Sequence, residues 1–173
     1  MKRTIQVLVI GLASMLAGCV SVNIQSNIKK EAQPEFSRIL VESRLSQVGP
    51  TYLSSFQTSF PAGYQVCVVS NSVISFDSPE EAVEKQRQAC QSEVVLTIDF
   101  KRNSVSASGK YAYSSNELYV EMRNLATGQP FWKAVVTTSG SVEVPASKIV
   151  SKLIDDGIVE ARLPNNNPVQ LTN

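Results

Sequence analysis

Residues 117–138, ELYVEMRNLATGQPFWKAVVTT, decide the fold. Leu118, Val120 and Met122 alternate along the first half, and Trp132, Ala134 and Val136 along the second. Period-two alternation marks strands that lay one face on a core. Folding the halves together with both apolar sets on one face puts Met122 opposite Trp132. Ala126-Thr127-Gly128 is then a three-residue loop, with Gly128 at the left-handed position that a residue without Cβ adopts freely. The same register puts Glu121 opposite Lys133 on the other face, a favourable cross-strand pair. Turn chemistry, packing and charge agree on one antiparallel hairpin.

Working upstream, Val94 to Phe100, VVLTIDF, is a β-rich run and reads as the preceding strand. Lys101 to Ser108 reads as a polar loop, and Gly109 to Tyr113 as a short extra strand left out of the count. Ser78-Pro79-Glu80-Glu81 opens a helix: serine caps, proline takes the first turn, and Glu81 completes a capping box. That helix runs to Cys90. Tyr64 to Ser70 reads as a buried strand. Gly49-Pro50 opens an earlier helix, with Tyr52, Leu53 and Phe56 on one face, stopped at Phe60-Pro61-Ala62-Gly63. Phe36 to Glu42 reads as the first strand. Downstream, Pro145 to Asp156 is a helix with Ile149, Val150, Leu153 and Ile154 as its stripe; Gly157 stops it and Ile158 folds back.

The order is βαβαβββα. It predicts an α+β fold, an α/β sandwich. The early βαβ units favour right-handed crossovers and parallel pairing; the later strands favour an antiparallel meander. The sheet is therefore mixed, with helices mainly on one face and part of the other left open.

The ends read differently. Met1-Lys2-Arg3 is a positive head, Val7 to Met15 a short apolar body, and Leu16-Ala17-Gly18-Cys19 follows. This is the build of a secretory signal, too short for the roughly 20 residues of a bilayer-spanning helix. Leu-Ala-Gly-Cys resembles a bacterial lipobox. The resemblance implies cleavage before Cys19, acylation of its thiol, and anchorage of the chain to a membrane. Val20, in place of the aspartate that retains such proteins in the inner membrane, implies the outer membrane, periplasmic face, of a Gram-negative envelope. Residues 20–34 are polar without a sustained period and read as a tether. The expected organisation is a signal peptide at 1–18, a lipidated tether at 19–34, one domain at 35–159 and an extended tail at 160–173.

Removing the first 18 of 173 residues leaves 155, the size of one domain. Without Lys2 and Arg3 the balance is 14 basic to 15 acidic residues, so no basic excess exists to attract nucleic acid. The chain has no histidine, which excludes histidine-based triads and histidine metal sites. No cofactor or metal is expected. Cys90 shares a helix face with Val83, Gln86 and Ala89 and points toward a sheet that would contain Cys67. An oxidising compartment permits a Cys67–Cys90 disulfide; two buried free thiols are the alternative. Closing that loop would contribute roughly 3 kcal/mol.

Few residues suggest chemistry. Ser26-Asn27-Ile28-Lys29 matches S-x-x-K but lies in the tether, without a pocket. Asp155-Asp156 and Asp99 are candidate metal or base groups whose simpler reading is solvated surface. Tyr111, Tyr113, Tyr119 and Phe131, among Glu121, Arg123 and Lys133, form a candidate binding face of mixed aromatic and charged character.

Three segments carry a wider resemblance: AVEKQRQACQSEVVLTIDF at 82–100, the hairpin at 117–138, and SKIVSKLIDDGIV at 147–159. Together they resemble an uncharacterised family of bacterial envelope lipoproteins. Its fold is like the N-terminal domain of the Tol-system translocation protein and the curli-secretion lipoproteins. The resemblance implies a non-catalytic interaction or accessory lipoprotein whose partner is another envelope protein. Carriage of a small ligand or lipid, an auxiliary role beside an envelope lipid transporter, and a glycan- or lipid-handling enzyme are the alternatives.

Overall fold

A computed structural model describes residues 21–45, 48–70, 76, 78–108, 111–140 and 142–161. Its strands are β1 (Val22–Ile28), β2 (Arg38–Ser43), β3 (Gln65–Ser70), β4 (Val94–Ser108), β5 (Tyr111–Asn124) and β6 (Pro130–Ser139). Its helices are α1 (Pro50–Ser59), α2 (Pro79–Cys90) and α3 (Ala146–Asp155), with one 3₁₀ turn at Lys30–Ala32. The strands form one mixed sheet in the order β1-β6-β5-β4-β2-β3. β2 runs parallel to β3 and β4; the other pairings are antiparallel. No described helix is long and apolar enough to cross a membrane.

The hairpin register holds as far as Met122, which faces Trp132, with Glu121 facing Lys133. Past it the register shifts and Arg123 faces Pro130, so the connection is longer than the expected three residues. Gly128 takes φ +69° in the connecting loop. Two expectations about the elements around it need correction. The stretch expected to be a coiled tether contains β1, which pairs antiparallel with β6 along its whole length. Its inward positions are Val22, Ile24, Ser26 and Ile28, all half-buried. Ser26 breaks the apolar series and hid the strand's period. The polar loop expected at Lys101 to Ser108 is the second half of β4, and the short extra strand is the start of β5. No described element covers that part of the pair, so nothing imposes a strongly apolar face and the stretch reads as a loop in composition.

Helices α1 and α3 cover one sheet face. Ile39, Val41, Leu96, Ile98, Leu118, Val120, Met122 and Trp132 meet Tyr52, Leu53 and Phe56 of α1 and Ile149, Val150 and Leu153 of α3 in one buried cluster. Gly157, at φ +70°, ends α3, and the Ile158 N–H donates to the Leu153 carbonyl at 2.9 Å. This buries Ile158 against the last turn.

Helix α2 lies on the opposite face, over β2 and β3. The Ser78 hydroxyl accepts from the Glu81 N–H at 3.2 Å, and the Glu81 carboxylate accepts from the Ser78 N–H at 2.9 Å. Yet α2 buries none of its own residues. A Cys67–Cys90 disulfide, with Cα atoms 6.5 Å apart, fastens its C-terminal end to β3. Where packing is thin, the covalent link carries more of the attachment. The double substitution Cys67→Ser/Cys90→Ser is expected to cost about 3 kcal/mol by the chain-entropy estimate, read as a lower urea midpoint. Equal midpoints would show that the bridge constrains nothing.

Candidate functional site

Among the described residues, the face that carries α2 is covered over β2, β3 and the start of β4, where Val95 is buried. No described element covers the rest of β4, or β5, β6 and β1. The registers define a row that crosses it: Glu42 beside Thr97, Thr97 beside Glu121, Glu121 beside Lys133, and Lys133 beside Asn27. The neighbouring row runs Asp99, Tyr119, Val135 and Gln25. β1 contributes Asn23, Gln25 and Asn27, all exposed.

Glu121 sits at the centre of the open face with its side chain only 11 % exposed. Arg123 holds its carboxylate at 2.5 Å and Lys133 at 3.1 Å, and the Tyr119 hydroxyl donates to it at 3.2 Å. The Lys133 ammonium also lies 5.9 Å from the centre of the Tyr119 ring, within cation–π reach. Burial pushes the Glu121 carboxyl up; the hydrogen bonds and charges of Arg123 and Lys133 outweigh it and hold the group below the ordinary carboxylate range. Under the edge of α2, Glu42 is buried and repeats the arrangement. Its carboxylate accepts from Arg44 at 2.8 Å and from the Thr97 hydroxyl at 3.0 Å. Both are Glu-x-Arg, Arg44 following directly on the end of β2, a spacing that in extended chain places the two side chains on one face.

The predicted binding face is brought together only in part. Tyr119, Glu121, Arg123 and Lys133 form one contact group. Phe131 does not belong to it, which corrects the expectation. The register between β5 and β6 shifts between Met122 and Arg123, leaving Phe131 as the extra residue of a bulge. A bulge turns successive side chains toward the same side. Phe131 is therefore buried with Trp132, its ring 6.0 Å from Phe36. Tyr111 and Tyr113 lie on β5, six or more residues before Tyr119, roughly 20 Å or more along the strand; they are not part of the group. Cys19 lies outside the described residues.

Asp156 departs from its expected role as a solvated group. Its carboxylate accepts from the Trp132 indole N–H at 2.7 Å and from Lys152 at 2.6 Å, and Ser26 also donates to it. One side chain thus joins α3, β6 and β1. Burial raises its pKa, but the bonds from Lys152, Ser26 and Trp132 prevail and hold it low. The sequence signal was Ser26, a polar residue on the inward side of an otherwise apolar strand.

The consequence for pH has a definite sign. Glu121 and Asp156 have lowered folded-state pKa values, so the unfolded chain binds more protons than the folded one as acid is added. Their stabilisation is complete above the ordinary carboxylate pKa of about 4 and is lost as pH falls through the lowered folded values. The melting temperature is expected to fall steeply below about pH 4. Asp156→Asn should flatten that acid limb; an unchanged limb would remove Asp156 from the linkage.

Fold and face together define an α+β domain with one sheet face half covered and half offered to solvent, its exposed half polar and charged. No protein-family model matches the chain, and no curated protein matches it. Among solved structures it is similar to a PelC dodecamer from Paraburkholderia phytofirmans, at 12% identity and TM-score 0.45, over 83% of this chain and 100% of that one. It is also similar to lipoprotein GNA1162 from Neisseria meningitidis, at 17% identity and TM-score 0.38, over 69% of this chain and 96% of that one. A third similarity is to protein XCC0632 from Xanthomonas campestris, at 11% identity and TM-score 0.35, over 73% of this chain and 85% of that one. These are likenesses of outline, and no residue's role passes across them.

Proposed function

We propose that the chain is a lipid-anchored, non-catalytic interaction protein of the bacterial envelope, held to the outer membrane through Cys19 and docking another envelope protein on its open sheet face. The carrying observation is that face: four strands wide, with Tyr119, Arg123 and Lys133 around Glu121 and a row of exposed Asn and Gln on β1. Aromatic and arginine side chains at the centre with a polar rim is the composition of a protein interface. Among the described residues β1 is an edge strand, and the backbone groups on its side away from β6 are ones to which a partner strand can bond. Glu121 also supports a binding role over a catalytic one: a carboxylate held ionised by two cations is a weak base and gives up no proton near neutral pH.

A second reading, carriage of a small ligand, has one observation in its favour. An open cleft of about 300 Å³ lies beside β1 and β6, lined by Asn27, Ile28, Lys29, Pro130, Phe131 and Lys133, the low end of the volume range for small-molecule sites. A photo-crosslinking residue placed at Gln25 or Lys133 separates the two. Docking predicts one reproducible envelope-protein adduct from these positions and none from Gln88 on α2. A co-purifying small molecule without an adduct would favour carriage. Turnover by the purified protein would sink the non-catalytic reading.

A further inference from the structure

β6 pairs with β5 as far as Ser115, opposite Ser139, with one further bond from the Gly140 N–H to the Ser114 carbonyl at 3.2 Å, and β2 leaves β4 at Ile98. Past these points β4 and β5 continue paired with each other, Ser104 with Ser115 through Ser108 with Tyr111. They form a two-stranded ribbon that projects from the sheet. A one-residue register shift at Lys101 marks its base, where Lys101 and Arg102 both bind Glu117 at 2.6 Å. Residues 101–107 are exposed throughout, and Val105 is an apolar side chain 69% exposed.

The direction of this ribbon follows from the registers. Ser21 and Ser139 bond each other at 3.2 Å. Ser139 lies opposite Ser115, and Ser115 opposite Ser104. The described chain therefore enters the sheet at the end from which the ribbon leaves it, two strands away, or about 10 Å. Two residues of chain lead from Cys19 to Ser21, a span of at most about 7 Å. The ribbon runs four residues past the same row, about 14 Å. That is more than the two residue steps from Cys19 to Ser21 can span.

The ribbon's composition suits that position. From Asn103 to Asn116 there is no acidic residue, and Val105, Tyr111 and Tyr113 stand among serines and alanines. Tyrosine favours the membrane–water interface, and a segment without carboxylates is not repelled by anionic headgroups. We infer that the β4–β5 ribbon is a second membrane contact, resting in the headgroup region of the bilayer that holds the Cys19 acyl chains. This rests on the lipid-anchor reading and deepens it. Two contacts fix the strands upright on the membrane, so the open sheet face looks sideways along the bilayer and meets a partner standing beside it.

The test uses the full acylated chain in vesicles of phosphatidylethanolamine and phosphatidylglycerol that carry a nitroxide lipid. Val105→Cys and Thr127→Cys are each labelled with an environment-sensitive fluorophore; Thr127 sits in the β5–β6 loop at the opposite end of the sheet. The label at 105 is expected to lose emission to the lipid nitroxide and to be shielded from aqueous iodide. The label at 127 is expected to do the reverse. An acylated protein whose position 105 is open to iodide and untouched by the nitroxide overturns the ribbon contact and leaves the anchor standing. An intact mass without acyl groups removes the anchor, and the ribbon proposal with it.

Discussion

Replacing Cys19 with serine is expected to abolish acylation and to move the protein out of the detergent phase. A serine hydroxyl does not take up the diacylglyceryl group that a cysteine thiol accepts. Acyl chains bind a bilayer by about 0.8 kcal/mol per buried methylene, and two or more chains anchor stably. Among the described residues no helix is long and apolar enough to cross a membrane. The measurement is intact mass together with detergent-phase partition of protein extracted from the envelope. A mass that differs only by oxygen in place of sulfur, with an unchanged partition, would refute the anchor.

The second large effect is on stability. Trp132→Ala is expected to cost about 3–5 kcal/mol, the range for removing a large aromatic side chain from a core. Trp132 is fully buried between the sheet and α3, and its indole N–H is one of the donors that hold the buried end of Asp156. The alanine variant loses ring contacts and a hydrogen bond to a charged group together. Trp132→Phe separates them: it keeps most of the packing and gives up the bond, worth about 1.5–3 kcal/mol when the acceptor is charged. Urea unfolding of the two variants should therefore show a larger loss for alanine. Equal losses would mean that the hydrogen bond, not the packing, is what Trp132 contributes. A loss under about 1 kcal/mol for alanine would contradict the core position.

Trp132 also shows what was legible in the sequence. Trp132 was readable because alternation, a left-handed glycine and one charge pair all specified the same register, and each is local. The capping box at Ser78 and the stop at Gly157 were readable for the same reason. β1 was not. Its inward series carries Ser26, whose hydroxyl serves Asp156 more than 120 residues away, and single-sequence periodicity registers such a residue as noise. The ribbon was missed because a two-stranded projection has no buried face to impose alternation. Phe131 was misplaced because strict alternation assigns it to the open face, whereas one inserted residue reverses that assignment. The Glu-x-Arg pairs at Glu42 and Glu121 were visible in principle: two residues apart in extended chain, opposite charges meet.

The pairing of β1 with β6 has a practical consequence. A shortened protein that begins after Ile28 would be missing more than a leash. It would bare the outer hydrogen-bonding row of β6, strip cover from Ala134 and Val136, and take Ser26 from Asp156. An uncovered strand of that kind invites self-association, so insolubility of such a truncation would report the missing edge rather than a flaw in the remaining fold.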